Sequence, residues 1–414
     1  MTVLFLFFSL AIGWTAWNLY HPVYRYPLVA TASFLTGWLV GELALHHIAW
    51  QLAVTALFAW GGAIHGFAGA IGLVTCVVSW LAMGYFYLTG ERAAGTVQRA
   101  LTEGLGEDYQ DTIQDTFRAA FPSAIDRRHL QHPFKPVAPG VEVIKDVPFG
   151  HHDQRLDIYR PRRPLTSAPV LLQIHGGAWT EKMGDKNHQA LPLMSHMAER
   201  GWVAVSIDYR LCPGATFPDH IIDCKEGLRW IKQHIASWGG DPDFVVVTGG
   251  SAGGHLCALL ALSANDPEFQ PGFEDLDTSV QGAVPFYGVY DLLDTHGHQH
   301  HGAQQELFER SLMKLPRSTN KEAYERASPL HRNLATAPPF FVIHGDKDTL
   351  VPVEEAREFV AALRAASQSP VSYAEIEGGQ HAFDMFASLR SEHTKHGVER
   401  FLTWLYSGYL ARRG

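Results

Sequence analysis

Charge is scarce where this sequence begins. The chain of 414 residues carries 33 basic and 42 acidic side chains, yet only Arg25 and Glu42 fall within its first 90 positions. Six of the eleven tryptophans (Trp14, Trp17, Trp38, Trp50, Trp60 and Trp80) crowd into the same stretch. A stretch this apolar excludes a wholly soluble single domain, and composition has to be read separately for the two parts. Basic charge is also short. Arg25 and Glu42 cancel, so the whole net charge of −9 lies beyond residue 90, without a block of like charges. A surface that repels phosphate excludes nucleic acid as an expected partner. Cysteine is sparse too: Cys76 sits in the apolar part, leaving Cys212, Cys224 and Cys257 with no full pairing and no metal-ligand spacing. That excludes a disulfide framework and favours a reducing compartment. No internal repeat is present.

An apolar stretch of about 18 residues crosses a bilayer core of roughly 30 Å. Val3 to Tyr20 meets that length without the basic start and small-residue cleavage site of a signal peptide. After the break His21-Pro22-Val23-Tyr24-Arg25-Tyr26-Pro27, residues 28–88 run on with Glu42 as the one formal charge, interrupted at His46-His47 and between Gly61-Gly62 and Gly69. The pattern predicts membrane helices near 28–45, 48–65 and 70–88. Residues 1–90 are thus expected to form a transmembrane region of three or four spans, with four preferred. Arg92 and Arg99 follow the last span and place the remainder in the cytoplasm by the bias of basic residues. Glu42, His46 and His47 are expected at helix ends or paired within the bundle.

Residues 91–136 read as an amphipathic helical linker or cap, with helices over 96–113 and 115–127 and a boundary at His132-Pro133-Phe134-Lys135-Pro136. Beyond it, β-branched runs alternate with helical stretches. Strands are predicted at 141–149, 155–159, 170–175, 203–208, 244–248, 280–287, 340–344 and 371–376, and helices near 185–200, 219–237, 252–264, 354–368 and 391–411. Such alternation specifies an α/β domain over 137–414: a mostly parallel sheet covered by helices, with ligands at the carboxyl ends of the strands. The long stretch 291–336 is a candidate lid insertion. Its histidine-rich patch, His296-Gly297-His298-Gln299-His300-His301, reads as a solvated loop because no carboxylate or cysteine lies at close ligand spacing.

The chemistry is written at strand ends. Val245-Val246-Val247-Thr248-Gly249-Gly250-Ser251-Ala252-Gly253-Gly254-His255 is a buried strand running through Gly-x-Ser-x-Gly into a helix. A serine presented on so sharp a turn needs neighbours without Cβ atoms, which Gly249 and Gly253 supply. Its base and the orienting acid should follow later strands. Asp346 and Asp348 lie after the seventh strand and His381 after the eighth, so the order Ser251, Asp348, His381 emerges; Asp346, nearer the Gly345 turn, is expected to brace the loop. Gly176 and Gly177, in the His175-Gly176-Gly177 turn after the third strand, and Ala252 are the expected donors of an oxyanion hole.

The set His175-Gly176-Gly177, Gly249-Gly250-Ser251-Ala252-Gly253, His344-Gly345-Asp346-Lys347-Asp348 and His381-Ala382-Phe383 resembles the hormone-sensitive-lipase-like branch of the α/β-hydrolases over about residues 137–412. Asp208-Tyr209-Arg210 resembles that family's fourth-strand motif. Two positions depart from the pattern: Ala178 stands for a third glycine, as in feruloyl-esterase and formamidase relatives, and Gly250 stands where many members carry an acid. The N-terminal region is more loosely similar to the anchors of multi-span bacterial esterases. The resemblance implies an α/β-hydrolase fold, a serine carboxylesterase or lipase, and a cap built near the N-terminus, which points to the helices of 96–127 as cover for the pocket.

The expected function is therefore a membrane-anchored serine carboxylesterase or lipase acting on a lipophilic ester, needing no metal and no organic cofactor. The same triad could serve a formamidase, an amidase or an acyltransferase; a non-catalytic membrane-bound scaffold is the alternative of another class. Residues 1–90 are expected to set where the enzyme meets its substrate and to contribute no catalytic group.

Overall fold

The computed structural model describes residues 1–134, 137–187, 189–299 and 302–413. Lys135 and Pro136 of the proline boundary, and His300 and His301 of the histidine patch, lie outside the described residues.

Four apolar helices open the chain near the four expected positions: α1 (Thr2–Tyr20), α2 (Pro27–Glu42), α3 (Ala44–Trp60) and α4 (Gly66–Thr89). Pro27 starts α2 at a position where its missing N–H costs nothing. By length and composition two helices suffice to cross a membrane, α1 and the one beginning at Gly66. The 16 residues of α2 and 17 of α3 give each a length of only about 25 Å. The two meet at Leu43 with a bend of 94°, so they add one broken span or none, giving up to three in all. The surface of this region is apolar: among the exposed large hydrophobic residues all but Phe134, Val137, Met183 and Leu315 lie within residues 1–88. Several of its polar groups are paired inside the bundle. Asn18 Nδ2 donates to Ser33 O at 2.8 Å and to Thr36 Oγ1 at 3.0 Å, and Trp80 Nε1 donates to Gln51 Oε1 at 3.0 Å.

Next come α5 (Arg92–Leu105) and two helical turns, α6 (Asp115–Arg118) and α7 (Arg127–Gln131). The helix expected over 115–127 is thus absent; Pro122 and the Phe121 to Asp126 stretch run as turns between the two fragments. Eight strands follow, each within a few residues of its expected position: β1 (Val141–Pro148), β2 (Arg155–Pro161), β3 (Ala168–Ile174), β4 (Val203–Ile207), β5 (Gly240–Gly250), β6 (Gly282–Phe286), β7 (Phe340–Gly345) and β8 (Val371–Ile376). The helices among them are α8 (Leu191–Glu199), α9 (Asp219–His234), α10 (Ala252–Ala261), α11 (Gly302–Leu307), α12 (Lys321–Ala327), α13 (Val353–Ala366) and α14 (Leu389–Arg413). α8 starts six residues later than the periodicity predicts, and Gln189, just before it, lines the cavity.

The strands form one sheet in the order β1-β2-β4-β3-β5-β6-β7-β8. β2 pairs antiparallel with both β1 and β4, and the remaining pairs are parallel. The antiparallel start follows from the lack of a helix between the first strands, since only a parallel pair needs a crossover. Residues such as Val170, Leu172, Val205 and Val247 are wholly buried, as expected of strands covered on both faces. The crossover exchanging β3 and β4 makes β3 and β5 neighbours, which sets the His-Gly-Gly turn beside the end of β5.

The expected cap does not cover the pocket. α5 lies against β8 and α14 on the flank of the sheet, through two close approaches: a Cβ on Gly104 would meet Ser372 Cα at 2.7 Å, and one on Gly397 would meet Val97 Cγ1 at 1.9 Å. The amphipathic face of α5 is thus consumed by core packing. The helices that line the cavity from outside the strand ends are α2 and α11.

Candidate active site

β5 ends in the turn that presents Ser251. This serine sits at φ +59°, ψ −123°, a conformation a residue with a side chain rarely adopts. Contacts on both sides hold it there. A Cβ on Gly249 would fall 2.4 Å from Gly253 O, and one on Gly253 would fall 2.1 Å from Ile174 O, so both glycines of Gly-x-Ser-x-Gly are sterically required. Gly250 has its own reason: a side chain there would strike the Tyr287 hydroxyl at 2.7 Å. Ser251 N–H donates to Phe286 O at 3.0 Å, pinning the elbow to the end of β6.

The loops after β7 and β8 bring Asp348 and His381 together. His381 Nδ1 lies 2.7 Å from Asp348 Oδ2, and His344 Nε2 lies 3.2 Å from the same oxygen. Asp348 Oδ1 accepts from the N–H groups of Leu350 and Val351, each at 2.8 Å. Burial pushes the Asp348 carboxyl toward neutrality, but the charge of His381 and the hydrogen bonds from His344 and His381 outweigh it and hold the group well below the ordinary carboxylate range. Asp346 takes the bracing position instead: its Oδ1 accepts from Gly378 N–H at 2.7 Å, and burial raises its pKa. Gln380, not singled out in the sequence, ties the two loops. Its Oε1 accepts from Thr349 N–H at 2.8 Å and from His381 N–H at 2.9 Å.

The His175-Gly176-Gly177 turn lies against the serine, since a Cβ on Gly176 would sit 3.1 Å from Ser251 Cβ. The His175 ring stacks on Tyr209 at 4.4 Å, and the Tyr209 hydroxyl donates to His175 O at 2.9 Å. The Asp208-Tyr209-Arg210 motif thus braces this turn, with Arg210 anchored on Asp223. Of the three expected oxyanion donors, Gly176 is engaged: its N–H donates to Gln189 Oε1 at 2.5 Å. Ala252 opens α10, and the first N–H of a helix has no intrahelical partner, so it faces the serine unpaired within its own helix. Gly177, at φ +109°, lines the cavity.

Ser251 and His381 share a cavity of about 480 Å³, within the range of small-molecule sites. Tyr287 borders it with its ring 4.7 Å from that of His381, and its hydroxyl donates to Asp384 Oδ1. Neither residue was marked by the sequence; the only cue was Asp384 three residues past the histidine. Two further walls come from outside the strand ends. Ala303, Gln304 and Leu307 of α11 line the cavity, so the 291–336 insertion does reach it. Phe34 and Trp38 of α2 line the other side, and residues 1–90 therefore do more than locate the enzyme.

The histidine patch gains the carboxylate that its local sequence lacks. His296 Nδ1 and His298 Nε2 each lie 2.7 Å from a separate oxygen of Glu358 on α13, and these ligand atoms stand within 4.8 Å of one another. Each imidazole is satisfied by its own carboxylate oxygen, and the three tie the loop before α11 to α13. All four cysteines are buried and free.

The elbow, the strand order and the cavity define an α/β-hydrolase esterase. The BD-FAE family model matches residues 156–363, half of the chain, and the chain belongs to that family. It is 43% identical over 403 residues to the probable carboxylic ester hydrolase LipM of Mycobacterium tuberculosis, an alignment covering 94% of this chain and 90% of the relative. Esterase LipQ of the same organism is 42% identical over 78% of each chain. A probable isoprenylcysteine alpha-carbonyl methylesterase of Oryza sativa is 30% identical over 54% of this chain and 55% of its own. Among solved structures, esterase Est2 of Thermogutta terrifontis aligns with a TM-score of 0.52 and 28% identity, covering 68% of this chain and 95% of that one. The protein is a carboxylic ester hydrolase.

Proposed function

We propose that the protein is a membrane-anchored serine carboxylesterase, of the hormone-sensitive-lipase-like kind, that cleaves lipophilic esters through Ser251, His381 and Asp348. The observation that carries this reading is the single cavity into which a strained elbow serine and an aspartate-bound histidine both open. His381 takes the Ser251 proton as the hydroxyl oxygen attacks the ester carbonyl, and Asp348 remains ionised to hold the imidazolium that forms. The N–H groups of Gly177 and Ala252 meet the developing oxyanion. The Gly176 N–H joins them when Gln189 turns away. The C–O bond then breaks, His381 returns the proton to the leaving alkoxide, and water deacylates the serine with His381 again as base. The residues 1–90 supply the anchor: their outward apolar surface and inward hydrogen bonds suit a lipid environment. With Arg92 and Arg99 just past α4, the catalytic domain faces the cytoplasm. A lipophilic substrate also agrees with the rice relative, which is named for an isoprenylcysteine ester.

A fluorophosphonate probe tests the mechanism. The detergent-solubilised full chain should be labelled, and Ser251→Ala should lose labelling and about 10⁴-fold or more of its esterase activity. Equal labelling of the variant would sink the assignment.

A further inference from the structure

The active-site cavity has walls of two origins, and one of them is a helix of the apolar N-terminal region. Pro27, Ala30, Thr31, Phe34 and Trp38 all line it. Their spacing of three and four places them on one face of α2. Leu28, Val29 and Leu35, on other faces of the same helix, are 88%, 43% and 44% exposed and belong to the outward apolar surface. A single helix therefore separates the reacting serine from the surroundings of the N-terminal bundle.

α2 is fixed against the histidine loop by specific contacts. Trp38 Nε1 donates to Ala382 O at 2.9 Å, and its ring stacks on Phe386 at 4.9 Å. The Phe34 ring meets His381 edge-on at 6.1 Å. Gly37 lets the helix approach so closely that a Cβ there would lie 3.3 Å from Gln380 Nε2. At the end of the helix Ser388 Oγ donates to Glu42 Oε2 at 2.5 Å. Contacts of this number and kind make α2 a built part of the site. What α2 offers the cavity is largely hydrocarbon: the rings of Phe34, Trp38 and Pro27 and the methyl of Ala30, beside Thr31, whose hydroxyl is turned back onto Pro27 O at 2.9 Å.

We propose that α2 forms the wall of an acyl-chain subsite, in which the hydrocarbon of a long-chain fatty acyl ester runs from Ser251 along Phe34 and Thr31 to the lipid-facing side. This rests on the serine and membrane readings above and adds to them the substrate class and the residues that select it. Because the wall of the site is itself a bundle helix, such an ester reaches Ser251 from the bilayer without its chain crossing water, and the short polar part is left for the oxyanion turn.

The test compares p-nitrophenyl laurate with p-nitrophenyl butyrate, using the full chain in detergent micelles and reading the ratio of their kcat/KM values. Burial of one methylene is worth about a factor of four, so Thr31→Trp, which displaces two or more, should lower the laurate-to-butyrate ratio about fifteenfold. Phe34→Ala should lower it about fourfold or more by the same reasoning. Leu28→Trp, on an outward face, should leave the ratio as in the wild type. Fluorophosphonate labelling of each variant reports whether the site is assembled. Unchanged ratios in Thr31→Trp and Phe34→Ala with labelling intact would overturn the proposal, as would an equal shift in Leu28→Trp. Failure of the serine reading gives a different signature, namely labelling that survives Ser251→Ala, while the chain-length ratios still report on α2.

Discussion

The N-terminal helices and the hydrolase domain both bury apolar side chains, such as Phe5 and Ile12 in the one and Val170 and Leu172 in the other, but they turn opposite materials outward. In the first, apolar side chains face outward while Asn18, Ser33, Gln51 and Glu42 are buried and bonded between helices or to the other domain. In the second, the sheet is packed with buried valines, leucines and isoleucines, and its polar groups gather at strand ends. In the lipid setting proposed for the bundle there is no apolar surface to remove from water, so hydrogen bonds and close packing would hold its helices together. In water the burial of apolar surface holds the fold, and polar groups at the rim are free for chemistry. The two regimes meet at the loop following β8. Arg390, in the first turn of α14 just past that loop, donates to Glu377 O, Phe86 O and Thr89 Oγ1, and lies 4.4 Å over the Phe86 ring. The loop that carries His381 is thus clamped between a soluble core and an apolar bundle.

Within the hydrolase the sharpest contrast is between two aspartates in one loop. Asp348→Asn keeps the size of the side chain but removes the charge beside His381 Nδ1, and if the proposed triad operates esterase activity should fall by about 10³- to 10⁴-fold. Asp346→Asn keeps an acceptor for the Gly378 N–H and should cost less than about tenfold. Rates on one ester for both variants settle the assignment; equal losses would mean that Asp346 shares the orienting role.

A second contrast concerns how the hydrolase tolerates a buried acid that has no basic partner among the described residues. Glu355 on α13 is wholly enclosed, and its Oε2 accepts from Tyr290 N–H at 3.0 Å, where the insertion that supplies α11 begins. Burial pushes its pKa from the ordinary 4.5 up to about 8, against the opposing effect of the bonds from Tyr290 and Asp291. The native state then holds a proton that the unfolded chain has released between those two values. Stability therefore falls as pH rises from about 4.5 to about 8. Glu355→Gln retains the acceptor and cannot ionise, so it should flatten that slope and gain on the order of 3 kcal/mol at pH 7. Thermal unfolding followed at pH 5 and pH 8 measures it; parallel slopes for the two proteins would show that Glu355 does not titrate in this window.

The hydrolase was legible to nearly residue level, and the reason is local. A strand of β-branched residues, a glycine elbow and a histidine after the final strand each leave a cue within a few positions, as the close approach of Gly249 to Gly253 O and the positive φ of Gly378 illustrate. What escaped were contacts made across 60 positions or more. Tyr287 and Asp384 meet beside His381 only once β6 and the last loop are neighbours, and the two imidazoles of His296 and His298 find Glu358 on a helix 60 residues away. The cover of the site was misassigned for the same reason. The amphipathic pattern of α5 shows that it packs against something but not what, and its partner is the flank of the sheet. α2 has apolar residues all round, so no periodicity distinguishes the face turned to His381 from the one turned outward.

The smallest expected effect falls on the seam itself and so discriminates best between a helix that only borders the site and one that supports it. Trp38→Phe preserves an aromatic ring for Phe386 while removing the donor to Ala382 O, the carbonyl next to His381 in sequence. Ala382 sits at φ +60°, in the left-handed region, so the hydrogen bond from α2 helps hold a backbone conformation that alanine does not favour. Losing one such bond should cost about 1 kcal/mol. If α2 supports the histidine loop, that loss appears both as a lower unfolding temperature in micelles and as a lower temperature at which Ser251 ceases to react with fluorophosphonate. If α2 only borders the cavity, unfolding shifts while the threshold for serine labelling stays with the wild type, because the loop then keeps His381 in place through Gln380 and Asp348 alone.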